Sequence, residues 1–182
     1  MTSLTRPLSL LLLCTSLWGC ATAPKPAAFA GDRLSGRLSV QVAHNSAGTA
    51  QGGAAAFELQ GTPEAGQLEL STPLGTLAAR ASWQPGQALL QRSDTETRYA
   101  DLDALTRDLL GESVPVAALF DWLKGRPWAG AVSRPRLDGK PGFRQLGWTV
   151  DLERHDEGLI NAHRKEPTEV QLRARLDPPE AR

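Results

Sequence analysis

DLDALTRDLLGESVPVAALFDWLKG, residues 101–125, decides the fold. In this stretch the apolar residues stop alternating and recur every three or four positions. Leu102, Leu105 and Leu109 predict a first helix, with Asp101 placed as N-cap and Gly111 as its stop. Val116, Leu119, Phe120 and Leu123 repeat at i, i+3, i+4 and i+7, the stripe of an amphipathic second helix. Pro115 near its start and Gly125 just after Lys124 bracket it, and Trp122 enriches the stripe.

On either side the period is two, the mark of strands with one buried face. Leu34, Leu38, Val40 and Val42 share a parity, opposite Arg33, Arg37, Ser39 and Gln41. Residues 45–53 read as a polar hairpin connection, followed by a strand facing inward through Ala55, Phe57 and Leu59. Residues 61–66 turn the chain before Leu68 and Leu70. Pro73 and Gly75 then flank Leu74 in a loop. Alternation resumes in Leu77, Ala79, Ala81 and Trp83. Pro85-Gly86 makes a turn, and strands follow through Ala88 and Leu90 and around residues 98–100. After the helices, residues 125–142 read as loop. Trp148, Val150 and Leu152 form one strand, residues 153–166 a charged connection, and Val170, Leu172, Ala174 and Leu176 the last strand. Strands, two helices, then strands make an α+β domain with helices on one face of a curved antiparallel sheet.

The N-terminus reads as an export signal over residues 1–19. Arg6 carries the positive charge, residues 8–18 are apolar, and Leu17-Trp18-Gly19-Cys20 closes the run. The run is too short to span a bilayer, which takes about 20 apolar residues. The chain has two cysteines, and Cys14 leaves with the signal, so no intramolecular disulfide is open to the mature chain. A lone cysteine in an oxidising compartment calls for a use. The closing tetrapeptide resembles the lipobox of bacterial lipoproteins, in which such a cysteine is lipidated. Ala21-Thr22 brings no aspartate behind Cys20, which by the same resemblance implies the outer membrane. Residues 20–31, small and proline-bearing, are then a lipidated tether, and residues 32–182 the domain.

Twenty basic residues balance twenty acidic ones, so no basic field for nucleic acid exists. His44 falls in the first hairpin connection, and His155 and His163 in the charged one, without metal-ligand spacing. No G-x-S-x-G occurs, and no nucleophile stands beside an oriented base. The reading is therefore of a protein without catalytic residues, metal or cofactor. The informative residues are apolar, and periodicity serves an ordinary core and a cavity for an apolar ligand equally well.

A set of segments in order separates the two. They are Gly36-Arg37-Leu38-Ser39-Val40; Leu68-Glu69-Leu70-Ser71-Thr72-Pro73-Leu74-Gly75; Tyr99; Gly111-Glu112-Ser113-Val114-Pro115-Val116 with Leu119, Trp122, Leu123 and Gly125; and Gln145-Leu146-Gly147-Trp148-Thr149-Val150. Behind a lipobox, these resemble the LolB family, the outer-membrane receptors of the lipoprotein-sorting pathway. The resemblance implies an unclosed antiparallel β-barrel with helices capping an apolar cavity. It implies a monomer held at the periplasmic face of the outer membrane through Cys20. Its partners are a LolA-like periplasmic carrier, client lipoproteins bound by their acyl chains, and outer-membrane lipid. The expected cavity residues are Leu38, Val40, Phe57, Leu59, Leu68, Leu70, Leu77, Trp83, Val116, Leu119, Phe120, Leu123, Trp148 and Val150. Pro73 and Gly75 fix a turn from which Leu74 either folds back into the core or points outward; the resemblance implies the outward reading, with Pro73, Leu74 and Gly75 as the membrane-insertion loop.

The rival from another class is a structural or assembly lipoprotein with a plain packed core; an enzyme is more distant. Cys20 serves location in either lipoprotein reading. Replacing it with serine is expected to release the protein from the outer-membrane fraction, measured by fractionation, while the purified chain keeps its fold.

Overall fold

The structure, a computed structural model, describes residues 29–43 and 51–178. The export signal, Cys20 and His44 lie outside the described residues. The described residues form eleven strands and two helices. β1 (Asp32–Val42), β2 (Gln51–Gly61), β3 (Gly66–Ser71), β4 (Leu77–Gln84), β5 (Gln87–Arg92) and β6 (Thr95–Tyr99) form a meander. α1 (Leu102–Leu110) and α2 (Val116–Trp122) follow. A second meander comprises β7 (Ser133–Pro135), β8 (Gly142–Gln145), β9 (Trp148–Asp151), β10 (Leu159–Arg164) and β11 (Val170–Leu176), with a single 3-10 turn at His155–Glu157.

The two meanders join through β1 and β11, which pair antiparallel from Gly36↔Leu176 to Val42↔Val170. One sheet results, ordered β6-β5-β4-β3-β2-β1-β11-β10-β9-β8-β7. It ends at β6 and β7 without closing on itself, so it is a half-barrel, as expected. Both edges are poor templates for further pairing. β6 carries Glu96 and Arg98 on an exposed strand, and β7 is three residues long and ends in Pro135.

Side chains from alternate positions of every long strand meet on the concave face. Phe57, Leu59, Trp83, Leu90, Trp148, Val150, Ile160, Val170 and Leu172 are all buried there. α2 lies against this face and buries six of its seven residues. Four large side chains at the α2 end, Leu119, Phe120, Trp122 and Leu123, contribute roughly 10 kcal/mol of apolar burial as an upper bound.

The helices form where the period changes. Asp101 caps α1 by accepting from the Ala104 N–H at 2.7 Å, and Gly111 ends it at φ 73° with its N–H on the Arg107 carbonyl. α2 ends one residue earlier than the stripe suggests, because Leu123 is its C-cap and Gly125, at φ 75°, reverses the chain.

The structure corrects four expectations. β2 begins at Gln51, inside the segment read as hairpin connection. The strand placed around residues 98–100 is β6, Thr95–Tyr99. Residues 125–142 contain β7, a strand too short to show a period. The charged connection, residues 153–166, contains β10, whose Ile160 and Ala162 face the core while Leu159 is half-buried and Asn161, His163 and Arg164 are polar. Leu159, Ile160 and Ala162, two of them adjacent, carry too little alternation to be read as a strand; Gly158, which precedes it at φ 76°, is the available signal.

β8 and β9 are joined by the two-residue turn Leu146-Gly147 between the paired Gln145 and Trp148. Both turn residues have left-handed φ, 54° and 80°, the geometry that favours Asn-Gly. A leucine there is strained. Leu146→Asn is therefore expected to stabilise the fold by about 1 kcal/mol, raising Tm by roughly 3 °C in a thermal melt.

Candidate functional site

The site has two parts: the apolar wall under α2, and a turn that leaves the fold. Trp83 on β4 meets Phe120 on α2 edge-on, with ring centroids 6.0 Å apart. Trp122 packs likewise against Phe143 at 6.3 Å and against Trp148 at 6.0 Å. Gly66 leaves room for this pair: a Cβ there would lie 2.4 Å from the Gln60 carbonyl oxygen, 2.7 Å from Trp83 Cζ2 and 3.3 Å from Phe120 Cζ. Of the fourteen residues expected to line a cavity, eleven are buried together: Val40, Phe57, Leu59, Leu68, Trp83, Val116, Leu119, Phe120, Leu123, Trp148 and Val150. Leu38 and Leu70 pack half-buried against them. Leu77 stands apart, 41% exposed at the start of β4, where a bulge after Leu70 shifts the register and turns it from the wall.

The same wall includes Phe143, Ile160, Val170 and Leu172, which were not singled out as cavity residues. Val170 and Leu172 already showed a strand parity. Phe143 and Ile160 sit on short strands whose only signals are the glycines before them.

α2 is latched by polar contacts at its margins. Gln145, 2% exposed, accepts from the Trp122 indole at 2.8 Å and from the Trp128 N–H at 3.0 Å. It donates to the carbonyls of Trp128 and Ala131, both at 2.7 Å. Every polar atom of this buried amide is satisfied, and it ties helix, loop and sheet together. At the other end Lys124 pairs with Asp32 on β1, and Arg126 bonds Asp121 at 2.8 Å. His155 donates from Nε2 to the Leu123 carbonyl at 3.1 Å and packs under Gly125. It therefore caps the C-terminal end of α2. The link between the helices is held by Arg164, which reaches Glu112 at 2.6 Å and the Ser113 carbonyl at 3.2 Å while its guanidinium lies 5.4 Å from the Trp148 ring centroid. Tyr99 donates to Asp108 at 2.7 Å, joining β6 to α1, and that bond holds the phenol above its ordinary pKa.

The second part is the β3–β4 turn. Thr72 and Thr76 close it, with the Thr72 N–H on the Thr76 carbonyl and the Gly75 N–H on the Thr72 carbonyl, each at 2.9 Å. The Thr72 hydroxyl accepts from the Thr76 N–H at 3.3 Å. Gly75 takes φ 81°, as a three-residue hairpin loop requires. Leu74 between Pro73 and Gly75 is 94% exposed, the most exposed large apolar residue among the described residues. The turn is closed by its own hydrogen bonds, and its apolar tip projects into water.

Among the described residues no cluster of histidine, cysteine or carboxylate side chains has metal-binding geometry, and no helix is long and apolar enough to cross a membrane. An unclosed antiparallel half-barrel with an apolar interior under a helical cover defines the structural class. Within it, the chain belongs to the LolB family: the family model described as "Outer membrane lipoprotein LolB" matches residues 33–178. Curated relatives named "Outer-membrane lipoprotein LolB" agree along most of the chain. That of Bordetella pertussis is 38% identical over 170 residues, covering 87% of this chain and 85% of the relative. That of Ralstonia nicotianae is 34% identical, covering 82% and 78%. That of Chromobacterium violaceum is 31% identical, covering 88% of each. The family is not a known family of enzymes.

The Gln145 junction makes a stability prediction. Gln145→Leu leaves the Trp122 indole and the Trp128 and Ala131 backbone groups unpaired. It is expected to lower the unfolding free energy by about 3 kcal/mol in urea titrations, against about 1 kcal/mol for Trp122→Phe.

Proposed function

We propose that this protein is an outer-membrane lipoprotein receptor. It accepts lipoproteins from a soluble periplasmic carrier, shelters their acyl chains against the apolar wall under α2, and inserts them into the outer membrane. The observation that carries this reading is Leu74, 94% exposed at the tip of a hydrogen-bonded turn, on a fold whose buried apolar residues are gathered in one cluster under α2.

The energetics explain why such a protein is needed. Each CH₂ moved out of water is worth about 0.8 kcal/mol, so one long acyl chain is worth on the order of 10 kcal/mol. A lipidated client needs an apolar surface at every stage of its passage. With the hand-over driven by affinity alone, the carrier holds the chains least tightly and the membrane most tightly. The concave wall supplies that surface once α2 moves. Leu119, Phe120 and Leu123 pack against the wall and keep it out of water. Acyl chains displace α2 and recover its apolar contacts, and the open edges at β6 and β7 let the sheet widen. Cys20 is the lipidated residue of the reading, residues 1–19 the signal and residues 20–31 the tether. The anchor keeps the receptor at the periplasmic face, and Pro73-Leu74-Gly75 engages the bilayer during release.

The test is transfer of a labelled lipoprotein from the carrier to the mature chain bearing Cys20→Ala, then to liposomes. Leu74→Glu is expected to leave Tm and uptake from the carrier unchanged and to reduce delivery into liposomes at least tenfold. Unimpaired delivery would remove Leu74 from the mechanism. Failure of the parent chain to take up lipoprotein or any apolar fluorescent probe would favour a purely structural lipoprotein.

A further inference from the structure

The convex face of the sheet near its β7 edge carries an arrangement that packing does not call for. Arg134 on β7 and Arg144 on β8 are direct cross-strand partners. Like charges placed opposite one another on neighbouring strands destabilise a sheet. No ion pair relieves either of them among the described residues, and the Arg144 Nε is buried without a hydrogen-bond partner. The polar row continues across the sheet: Arg144 is paired with Thr149 on β9, and Thr149 with His163 on β10.

These four side chains and Lys165 line one concavity of about 910 Å³. Two acids border it. Asp138 is held by Arg136 at 2.6 and 3.0 Å, and Arg136 is further engaged by Asp151 and Glu153. Glu166 is then the acid that remains against Arg134, Arg144 and Lys165, leaving an excess of positive charge. Burying an unneutralised guanidinium nitrogen costs free energy unless a ligand completes it. Two arginines side by side with a hydroxyl fit the oxygens of a phosphate group.

The rim of the same concavity is apolar. Val132 is 82% exposed, Leu137 85% and Leu146 44%. Leu146 holds its place at φ 54°, against the backbone preference of a leucine. A free phosphate has no use for exposed leucine and valine, whereas a phospholipid does.

We propose that the β7–β9 edge is a second lipid-contact site, which takes the phosphate of an anionic phospholipid between Arg134 and Arg144 while Val132, Leu137 and Leu146 meet the acyl region. This site is separate from the Leu74 turn. It gives the protein a preference for an anionic bilayer surface that its balanced overall charge does not supply.

The experiment uses the mature chain with Cys20→Ala, so that no lipid anchor holds it, and measures flotation with phosphatidylcholine vesicles with or without phosphatidylglycerol. Stronger binding to the anionic vesicles is expected, falling about twentyfold in Arg134→Gln/Arg144→Gln and with added salt. The charge-matched control Arg92→Gln/Arg107→Gln, on exposed arginines elsewhere, is expected to lose no more than a few-fold. Equal losses in the two double variants, or equal binding to both vesicles, would overturn the proposal. So would displacement by millimolar inorganic phosphate at constant ionic strength, which would make the ligand free phosphate. Leu146→Asn guards against misfolding as the cause: it is expected to melt higher than the parent yet float several-fold less, and unchanged flotation would take the apolar rim out of the site. Lipoprotein delivery into pure phosphatidylcholine vesicles should survive the arginine changes, so failure here is distinguishable from failure of the receptor reading.

Discussion

A curved sheet that does not close has a concave apolar face and no partner sheet to cover it. That constraint governs the rest of the molecule. The face is contributed by strands from both ends of the chain, joined where β1 pairs with β11. Its cover is a seven-residue helix, α2. A helix this short has little intrinsic stability in water, so it exists because the wall beneath it is apolar. The dependence runs both ways: without Leu119, Phe120 and Trp122 the wall would lie open to solvent.

The division of labour between apolar and polar contacts follows from that arrangement. Apolar burial holds α2 down but does not fix its position, because it is non-directional. Position comes from the margins, where Gln145, His155, Arg164 and the Lys124–Asp32 pair tie each end of the cover to the sheet. A cover held by a few directional bonds around an apolar contact can part from the sheet as a unit when another apolar surface replaces it. The exposed residues obey a different logic. Leu74 on a turn closed by Thr72 and Thr76 gains nothing for the fold by facing water, and Leu146 does so in a strained backbone conformation. Stability alone accounts for neither.

Much of this was legible in the chain. The change of period at residues 101–125 located both helices and their caps, since Asp101, Gly111 and Gly125 act through local backbone geometry. Strand parity sorted Phe57, Leu59, Trp83 and Val150 onto one face. The short strands β7, β8 and β10 were not legible, because three to six residues with few or adjacent apolar members hold no period. Leu77 obeyed the parity of β4 yet left the wall, because a bulge between β3 and β4 is a property of the pairing and not of either strand.

The sequence by itself determined what depends on neighbours a few residues apart: periodicity, caps, the Pro-Leu-Gly turn, and the motifs that marked the LolB family. Tertiary structure alone decided what depends on residues far apart in the chain. It brought Trp83 to Phe120, completed the four bonds of Gln145, made His155 a cap for α2, and set Arg134 beside Arg144. It also decided that Leu74 faces outward while Leu68 and Leu70 of the preceding strand pack against the wall. The physical reason is that burial belongs to the assembled sheet: a strand has two faces in sequence, but only pairing and curvature choose which one water never reaches.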